Sequence, residues 1–122
     1  MGLKIFFDGG CRPNPGPMEI AVVVRGEAHI ARDLGTGSNN DAEWLALIAA
    51  MRIAREIGRS DLVLLGDSTL VVNQATGAWK CRGDRLQAHL AAFLAIAATM
   101  PPLRIRYIKR SQNLAGIALE AR

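Results

Sequence analysis

The segment from residue 3 to residue 16 constrains the fold more than any other part of the chain. Apolar side chains take alternate positions from Leu3 to Phe7, a period of two that predicts a β-strand ending at Asp8. Two glycines follow at once, and a turn rich in proline and asparagine comes next. A carboxylate at a strand end, beside glycines that let another backbone approach, suits a metal or phosphate site. Asp-Gly is also a common turn sequence, so a function for Asp8 needs support from elsewhere in the chain.

Length and composition predict one domain that spans residues 1–122. Half of the residues are hydrophobic, which suffices for a buried core in a chain of this length. Cys11 and Cys81 match no metal-ligand spacing, so we expect reduced thiols in a cytoplasmic protein. No apolar run reaches the roughly 18 residues of a membrane span, and the early strand leaves no room for a secretion signal. A net charge of +4 permits a polyanionic partner without requiring one.

The rest of the chain predicts the alternating strands and helices of an α/β domain. Strands at 20–24 and 28–31 should form an antiparallel meander with the first strand, because a tight-turn signal separates them. An unbroken apolar run at 62–65 predicts a central strand that is buried on both faces, as in parallel sheets. The other predicted elements are helices at 41–57, 69–75, 84–99 and 113–122 and a strand at 103–108.

Two further acids support a site at the carboxyl ends of the strands. On a helical wheel of residues 41–57 most charged residues, Asp41 included, share one sector, whereas Glu43 falls among apolar residues on the other side. An inward glutamate is costly unless it is paired, hydrogen-bonded or bound to a metal, although a capping-box role would also explain it. Asp67 ends the central strand as Asp8 ends the first, and ligands of α/β sheets gather at such ends. A helix cap is the ordinary alternative for Asp67.

Four motifs follow one another in a specific order and spacing. They are Phe7-Asp8-Gly9-Gly10 leading to Asn14-Pro15-Gly16, Asn39-Asn40-Asp41-Ala42-Glu43, Gly66-Asp67-Ser68 leading through Val72-Asn73-Gln74 to Trp79-Lys80, and Arg110-Ser111-Gln112-Asn113. Together they resemble the type 1 ribonuclease H family, which cleaves the RNA strand of RNA–DNA hybrids. The resemblance covers nearly the whole chain, and its specificity lies in the joint spacing rather than in any single motif.

The resemblance implies a ribonuclease H-like fold with a five-stranded mixed sheet, three antiparallel strands followed by two parallel ones, and helices on both faces. It also implies a metal-dependent endonuclease that hydrolyses the RNA strand of hybrids by a two-metal mechanism, with Mg²⁺ as cofactor or Mn²⁺ in its place. Asp8, Glu43 and Asp67 match catalytic, metal-binding carboxylates of the family, and Asp8 is the expected bridging ligand. The expected nucleic-acid-binding residues are Gly10, Asn14, Asn39, Asn40, Ser68, Asn73, Trp79, Lys80, Arg110 and Asn113.

The chain departs from the family pattern at three places. Ile117 stands where the family usually has a fourth aspartate, the loop before the last helix lacks a histidine that members often have, and the basic insertion of some members is absent. We therefore expect modest affinity for hybrids and either weak Mg²⁺ affinity or a preference for Mn²⁺. Glu120 lies seven residues after Asn113 on the same helix face, so it is a candidate partial replacement for the aspartate. A solvated acid near the C-terminus is the alternative.

Other functions stay open at this level. The first is a nucleic-acid-binding module of the same fold, with catalysis weakened by the departures above. A second is a nuclease for another structured substrate on the same metal site. A third is an aspartate-nucleophile phosphatase, but such enzymes usually have a second aspartate two residues after the first, where this chain has Gly10. We expect a monomer, and we interpret His29 as an edge-strand residue and His89 as a helix-face residue.

Overall fold

The computed structural model describes residues 2–121 and contains a mixed β-sheet flanked by helices. The strands are β1 (Leu3–Cys11), β2 (Gly16–Val24), β3 (Glu27–Ala31), β4 (Thr36–Gly37), β5 (Leu62–Gly66) and β6 (Arg104–Tyr107). The helices are α1 (Asn39–Ile57), α2 (Thr69–Ala75), α3 (Asp84–Ala97) and α4 (Leu114–Glu120). A single turn of 3₁₀-helix precedes α4 at Arg110–Gln112.

The five principal strands lie in the order β3-β2-β1-β5-β6. Strand β2 is antiparallel to both β1 and β3, whereas β5 is parallel to both β1 and β6. The hairpin between β2 and β3 turns through Arg25 and Gly26, which both have positive φ values as a type I′ turn requires. The predicted three antiparallel and two parallel strands are therefore confirmed, and the short β4 beside β2 is an addition that the sequence did not indicate.

The first strand is longer than predicted. Its pairing with β2 continues beyond Asp8, because residues 9–11 pair with residues 18–20, and β2 accordingly begins at Gly16 rather than at Ile20. The sequence predicts a turn that begins at the two glycines, but they lie in extended backbone within the ladder. Pairing of β1 with β5 ends at Phe6 and Leu65, so Asp8 still projects at the carboxyl end of that parallel pair.

Apolar residues pack on both faces of the sheet. The larger core lies between the sheet and the helices α1, α2 and α3, where Phe7, Trp44, Leu47 and Leu64 are fully buried. The smaller core lies on the opposite face, where Ala115 and Leu119 of α4 contact the sheet. Helices on both faces are thus confirmed.

The helix ends differ slightly from the predictions. Helix α1 begins two residues early because Ser38 caps it, and α3 ends at Ala97 rather than at residue 99. Helix α4 ends at Glu120, and Arg122, which the prediction included, lies outside the described residues. Within residues 2–121 no helix has both the length and the hydrophobicity to cross a membrane. The two cysteines are free thiols, as predicted, and both are buried.

Candidate active site

Three carboxylates from separate elements meet beside the carboxyl ends of β1 and β5. Asp8 belongs to β1, Glu43 to the first turns of α1, and Asp67 directly follows β5. One oxygen from each lies within 4.8 Å of one from each of the others. In the part of the chain that the structure describes, this is the one such group of three or more metal-ligating side chains. We call these three residues the acidic cluster.

Glu43 points towards the sheet because α1 crosses β1 at a glycine. The Gly9 amide donates a hydrogen bond of 2.9 Å to Glu43 Oε1. A Cβ atom on Gly9 would overlap the carbonyl oxygen of Ala42, so only glycine allows the helix this close. The inward direction inferred from the helical wheel is therefore correct. The capping-box explanation of Glu43 is wrong, because Ser38 and Asp41 form that box.

Burial and mutual repulsion raise the pKa values of Asp8 and Glu43, the two buried acids of the acidic cluster. Burial, and then the negative charge of Asp67, raises the pKa of Asp8 to about 6 against an opposing effect of the Arg110 guanidinium. Burial and the charges of Asp8 and Asp67 raise the pKa of Glu43 well above its ordinary value. A divalent cation relieves such repulsion, and Mg²⁺ prefers oxygen ligands. The donor set of the acidic cluster therefore fits a hard divalent cation.

Known proteins match the chain over nearly its whole length. A family model described as reverse transcriptase-like matches residues 6–120. Ribonuclease HI of Halobacterium salinarum is 35% identical over 119 residues, which cover 93% of this chain and 60% of that protein. The chain belongs to the type 1 ribonuclease H family.

Solved ribonuclease H structures share the fold. The crystal structure of RNase H1 from Halobacterium salinarum has a TM-score of 0.85 and 31% identity, covering 100% of both chains. LC11-RNase H1, solved in complex with an RNA/DNA hybrid, has a TM-score of 0.84 and 30% identity, covering 92% of this chain and 88% of that one. The first curated relatives are longer. The chain spans 60% of the Halobacterium protein and 36% of the Bifunctional protein Rv2228c of Mycobacterium tuberculosis.

The buried side chain of Asn113 connects β1, Asp67 and the first turn of α4 at this ribonuclease H site. Asn113 Nδ2 donates to the Phe7 carbonyl at 3.0 Å and to Asp67 Oδ2 at 3.3 Å, and its Oδ1 accepts from the Ala115 amide. The resemblance implies a nucleic-acid contact for Asn113, whereas the side chain is fully buried and all of its polar atoms are bonded inside the protein. These contacts support a role for Asn113 in positioning the Asp67 carboxylate.

The other asparagines of the first two motifs lie at the rim of the acidic cluster. Asn39 Oδ1 accepts a hydrogen bond of 3.0 Å from the Cys11 amide, and the Asn39 amide donates to Asn14 Oδ1 at 3.1 Å. Asn40 follows on the same exposed first turn of α1. Gly10 and Asn39 line a cavity of about 450 Å³ that also reaches one carboxylate of the cluster. The structure thus brings these predicted binding residues to one surface.

A second set of predicted binding residues follows β5. Ser68 caps α2, and the carbonyl of Asn73 accepts a hydrogen bond of 3.0 Å from the Trp79 amide. This hydrogen bond holds the start of the segment between α2 and α3 close to α2. The Trp79 side chain is half exposed and Lys80 is exposed, so both are accessible to a ligand.

The loop before α4 places an arginine, not the family's histidine, near the acidic cluster. A hydrogen bond to Glu120, and to a lesser extent the charges of Asp67 and Asp8, raise the pKa of Arg110. Arg110 Nη2 and Glu120 Oε1 are 3.2 Å apart, and both side chains are exposed. Glu120 lines the same cavity as Asp8 without belonging to the acidic cluster, so its role as a metal ligand stays a prediction.

Replacing Glu120 by alanine tests whether this residue is a metal ligand or only the exposed ion-pair partner of Arg110. Because its carboxylate pairs with an exposed arginine, we expect the rate of any Mg²⁺-dependent cleavage of RNA–DNA hybrids to change less than about threefold. The measurement is the rate over a Mg²⁺ titration, with Glu56→Gln, an exposed acid of α1, as the matched control. A much larger loss that excess Mg²⁺ restores would instead establish Glu120 as a ligand.

Sequence reasoning missed a network around Asp41, which it placed on the charged outer sector of α1. The carboxylate is buried and accepts from the amide and hydroxyl of Ser38 at 3.0 Å each. Arg85 Nη2 lies 3.1 Å and His89 Nε2 3.0 Å from it. His89, interpreted as a helix-face residue, also stacks on Trp44. The spacing of Ser38 and Asp41 is that of a capping box and could have revealed the first half of this network.

Replacing Asp41 by asparagine should reduce stability at neutral pH. Burial opposes ionisation, but the hydrogen bonds from Ser38, His89 and Arg85 outweigh it and lower the pKa of Asp41 to about 2. This acid therefore contributes stability above about pH 4, and the contribution is lost as the pH falls through about 2. We expect Asp41→Asn to lower the free energy of unfolding by about 1–2 kcal/mol at pH 7.

Urea unfolding at pH 7 and at pH 3 tests this expectation. The difference between wild type and Asp41→Asn should be smaller at pH 3, where part of the contribution is already lost. Glu56→Gln, which removes an exposed acid from the same helix, serves as the control and should unfold like wild type. Equal stability of Asp41→Asn and wild type at pH 7 would contradict the expectation.

Proposed function

We propose that this protein is a metal-dependent endoribonuclease that hydrolyses the RNA strand of RNA–DNA hybrids. The acidic cluster carries the proposal, because it joins three buried or half-buried carboxylates at the strand ends of a ribonuclease H fold. The hybrid-bound structure of LC11-RNase H1, which is 30% identical, supports the substrate class. We further propose that residues 1–122 form one ribonuclease H-like domain and act as a monomer.

The residues that would hold divalent metal are Asp8, Glu43 and Asp67. A pair of Mg²⁺ or Mn²⁺ ions held by these residues would supply an activated water and would neutralise charge on the phosphoryl oxygens. The protein's part is to keep three oxygen donors in one place. The Gly9 amide orients Glu43, and the Asn113 amide group orients Asp67. Arg110, near the cluster, would contact phosphate.

Recognition of the hybrid would rest on shape and backbone contacts. Exposed Asn14, Asn39 and Asn40 beside the acidic cluster offer amide groups to 2′-hydroxyls and base edges of a wide minor groove. Trp79 and Lys80 would contact the phosphate backbone farther along the duplex, which predicts binding that weakens as the salt concentration rises.

A cleavage assay on matched substrates tests the proposal. A hybrid labelled on its RNA strand is compared with the same hybrid labelled on its DNA strand, duplex RNA, duplex DNA and single strands, first with Mg²⁺ and then with Mn²⁺. We expect cleavage of the RNA strand of the hybrid alone, and none with a chelator. Cleavage without metal, or equal cleavage of every duplex, would contradict the proposal.

A hybrid-binding module of the same fold is the second candidate, and Ile117 favours it. This side chain is 51% exposed on α4, where the family usually has its fourth aspartate. The backbone of α4 is nevertheless close to the acidic cluster. A Cβ atom placed on Gly116 would lie 3.3 Å from Asp8 Oδ2. Hybrid binding without cleavage in either metal would establish this candidate.

Replacing Ile117 by aspartate should therefore strengthen catalysis. A carboxylate there adds an oxygen donor beside the acidic cluster, so we expect about a tenfold higher rate at low Mg²⁺ concentration. Leu114→Asp, which puts the same charge on another exposed apolar position of α4, is the matched control. If both variants behave alike, or if Ile117→Asp is slower than wild type, the missing aspartate does not limit this enzyme.

A further inference from the structure

Strand β6 forms an edge of the sheet, and its two faces are chemically different. Among the described strands only β5 pairs with it, and α4 covers the sheet over β1 and β2 rather than over β5 and β6. Arg104, Arg106 and Tyr107 are exposed. The sequence motifs of the ribonuclease H family leave this strand without a role.

One face of the edge is a basic groove with an aliphatic floor. Lys4, Val63 and Arg104 stand side by side in the register of β1, β5 and β6, and Leu65 pairs with Arg106 in a neighbouring row. These side chains line a groove of about 680 Å³. Within residues 2–121 no carboxylate lies within ion-pair distance of the three cations. Asp61 also lines the groove, but its carboxylate pairs with Arg59 rather than with these cations. The groove therefore offers three cations that have no ion-pair partner among the described residues.

The other face of the edge is an apolar groove of about 310 Å³. Phe93 and Met100 from the α3 region, together with Ile105 from β6, contribute to its lining. Pro102 and Leu103 line both grooves, so the two grooves meet at the start of β6. A chain lying along this edge would have cations on one side and apolar surface on the other.

The backbone of β6 can accept another strand. The Ile108 amide donates to the Gly66 carbonyl at 2.9 Å, which directs the backbone groups of Ile108 towards β5. Because backbone groups alternate along a strand, those of Arg104 and Arg106 also face β5, whereas those of Ile105 and Tyr107 face outward. Outward amide and carbonyl groups are what an added strand pairs with.

We propose that the β6 edge is a docking site for an extended acidic segment of another protein, which adds to the sheet as a strand. Side chains of a strand alternate between its faces, so the segment would alternate acidic residues over Arg104 and Arg106 with aliphatic residues over the apolar groove. Cross-strand pairs of opposite charge stabilise this register. The site is separate from the acidic cluster and needs no metal.

A single strand of nucleic acid fits these observations less well. Single-strand sites combine cations with aromatic side chains on which bases stack. Here the floor is Val63 and Leu65, and the aromatic ring of Phe6 packs against the α4 core. The exposed ring of Tyr107 stands on the opposite face of β6 from Arg104 and Arg106, because side chains alternate along a strand. A phosphate chain would also leave the apolar groove and the outward backbone groups unused. Nucleic acid is therefore an outcome of the test rather than the proposal.

Fluorescence anisotropy with a labelled peptide of alternating glutamate and valine tests the site. We expect wild type to bind it at low salt, and the double variant Arg104→Glu with Arg106→Glu to bind at least about tenfold more weakly. Arg52→Glu, a charge reversal at an exposed arginine of α1, is the matched control and should bind like wild type. Equal binding by the double variant, or no binding by wild type, would overturn the proposal.

Two further ligands define what the site binds, and two further measurements separate loss of the site from instability of the variant and from loss of the proposed cleavage. A peptide with the same composition but with its glutamates and valines in separate blocks should bind at least about tenfold more weakly than the alternating peptide. Tighter binding of oligothymidylate than of the alternating peptide would overturn the proposal in favour of nucleic acid. On wild type, peptide binding should shift the amide resonances of Ile105 and Tyr107, which keeps the test valid if the double variant is unstable. Hybrid cleavage by the double variant should equal that of wild type. Loss of peptide binding can therefore be told apart from loss of the proposed hybrid cleavage.

Discussion

Replacing Asp8 by asparagine should abolish the proposed hybrid cleavage while making the metal-free protein more stable. The carboxylate belongs to the acidic cluster, and an amide is a weaker, uncharged donor for a hard cation. We expect the rate in Mg²⁺ to fall by at least about 1,000-fold. The measurement is the initial rate of RNA-strand cleavage at saturating metal.

The gain in stability follows from the direction of the pKa shift. The pKa of Asp8 is raised to about 6 by burial and by Asp67, so the folded state holds a proton that the unfolded chain releases near pH 4. Stability of the metal-free protein therefore falls as the pH rises from about 4 to about 6, and stays lower above that range. We expect Asp8→Asn to raise the free energy of unfolding by about 1–3 kcal/mol at pH 8.

Urea unfolding with a chelator at pH 8 measures this difference. Adding Mg²⁺ should stabilise wild type, because the ion binds the folded state, and should stabilise Asp8→Asn far less. Glu56→Gln removes a carboxylate from the exposed side of α1 and should change neither quantity. An Asp8→Asn protein that is less stable than wild type in the chelator would show that Asp8 is not under electrostatic strain.

Replacing Gly9 by alanine should disrupt both the fold and the site. The new Cβ would overlap the carbonyl oxygen of Ala42, and neither atom can move without separating β1 from α1. We expect the free energy of unfolding to fall by about 3 kcal/mol. Any folded fraction should also cleave poorly, because the shift breaks the bond from the Gly9 amide to Glu43 Oε1.

The neighbouring glycine provides the matched control for stability. A Cβ on Gly10 would have only one nearby heavy atom outside its chain neighbours, Asn39 Oδ1 at 3.6 Å, which is an ordinary contact. Gly10→Ala should therefore lose less than about 1 kcal/mol. The comparison uses thermal or urea unfolding only, since Gly10 lies in the proposed binding surface. Two variants of equal stability would contradict the close approach of α1 to β1.

Local patterns were sufficient for most of the fold. The period of two in β1, the continuous apolar run of β5 and the helical period of α1 each depend on neighbouring residues, so the chain alone specified them. The direction of Glu43 also follows from the helical period. The boundaries of β1 were less accurate, because the glycines after Asp8 suit either a turn or a strand and pairing with β2 decides between them.

The sequence by itself determined the order of the elements and the three acids of the cluster, because periodicity and motif spacing are properties of the chain. Only the tertiary structure decided which partners each acid has. Asp41 is held in a hydrogen-bond network because Arg85 and His89 of α3, which lie 44 and 48 residues further along the chain, contact its carboxylate. Asn113 donates a hydrogen bond to the backbone of Phe7, 106 residues earlier in the chain, and its side chain is buried. The two grooves beside β6 likewise combine residues from distant segments. No local pattern encodes such contacts, since they arise when separate elements pack around a common core.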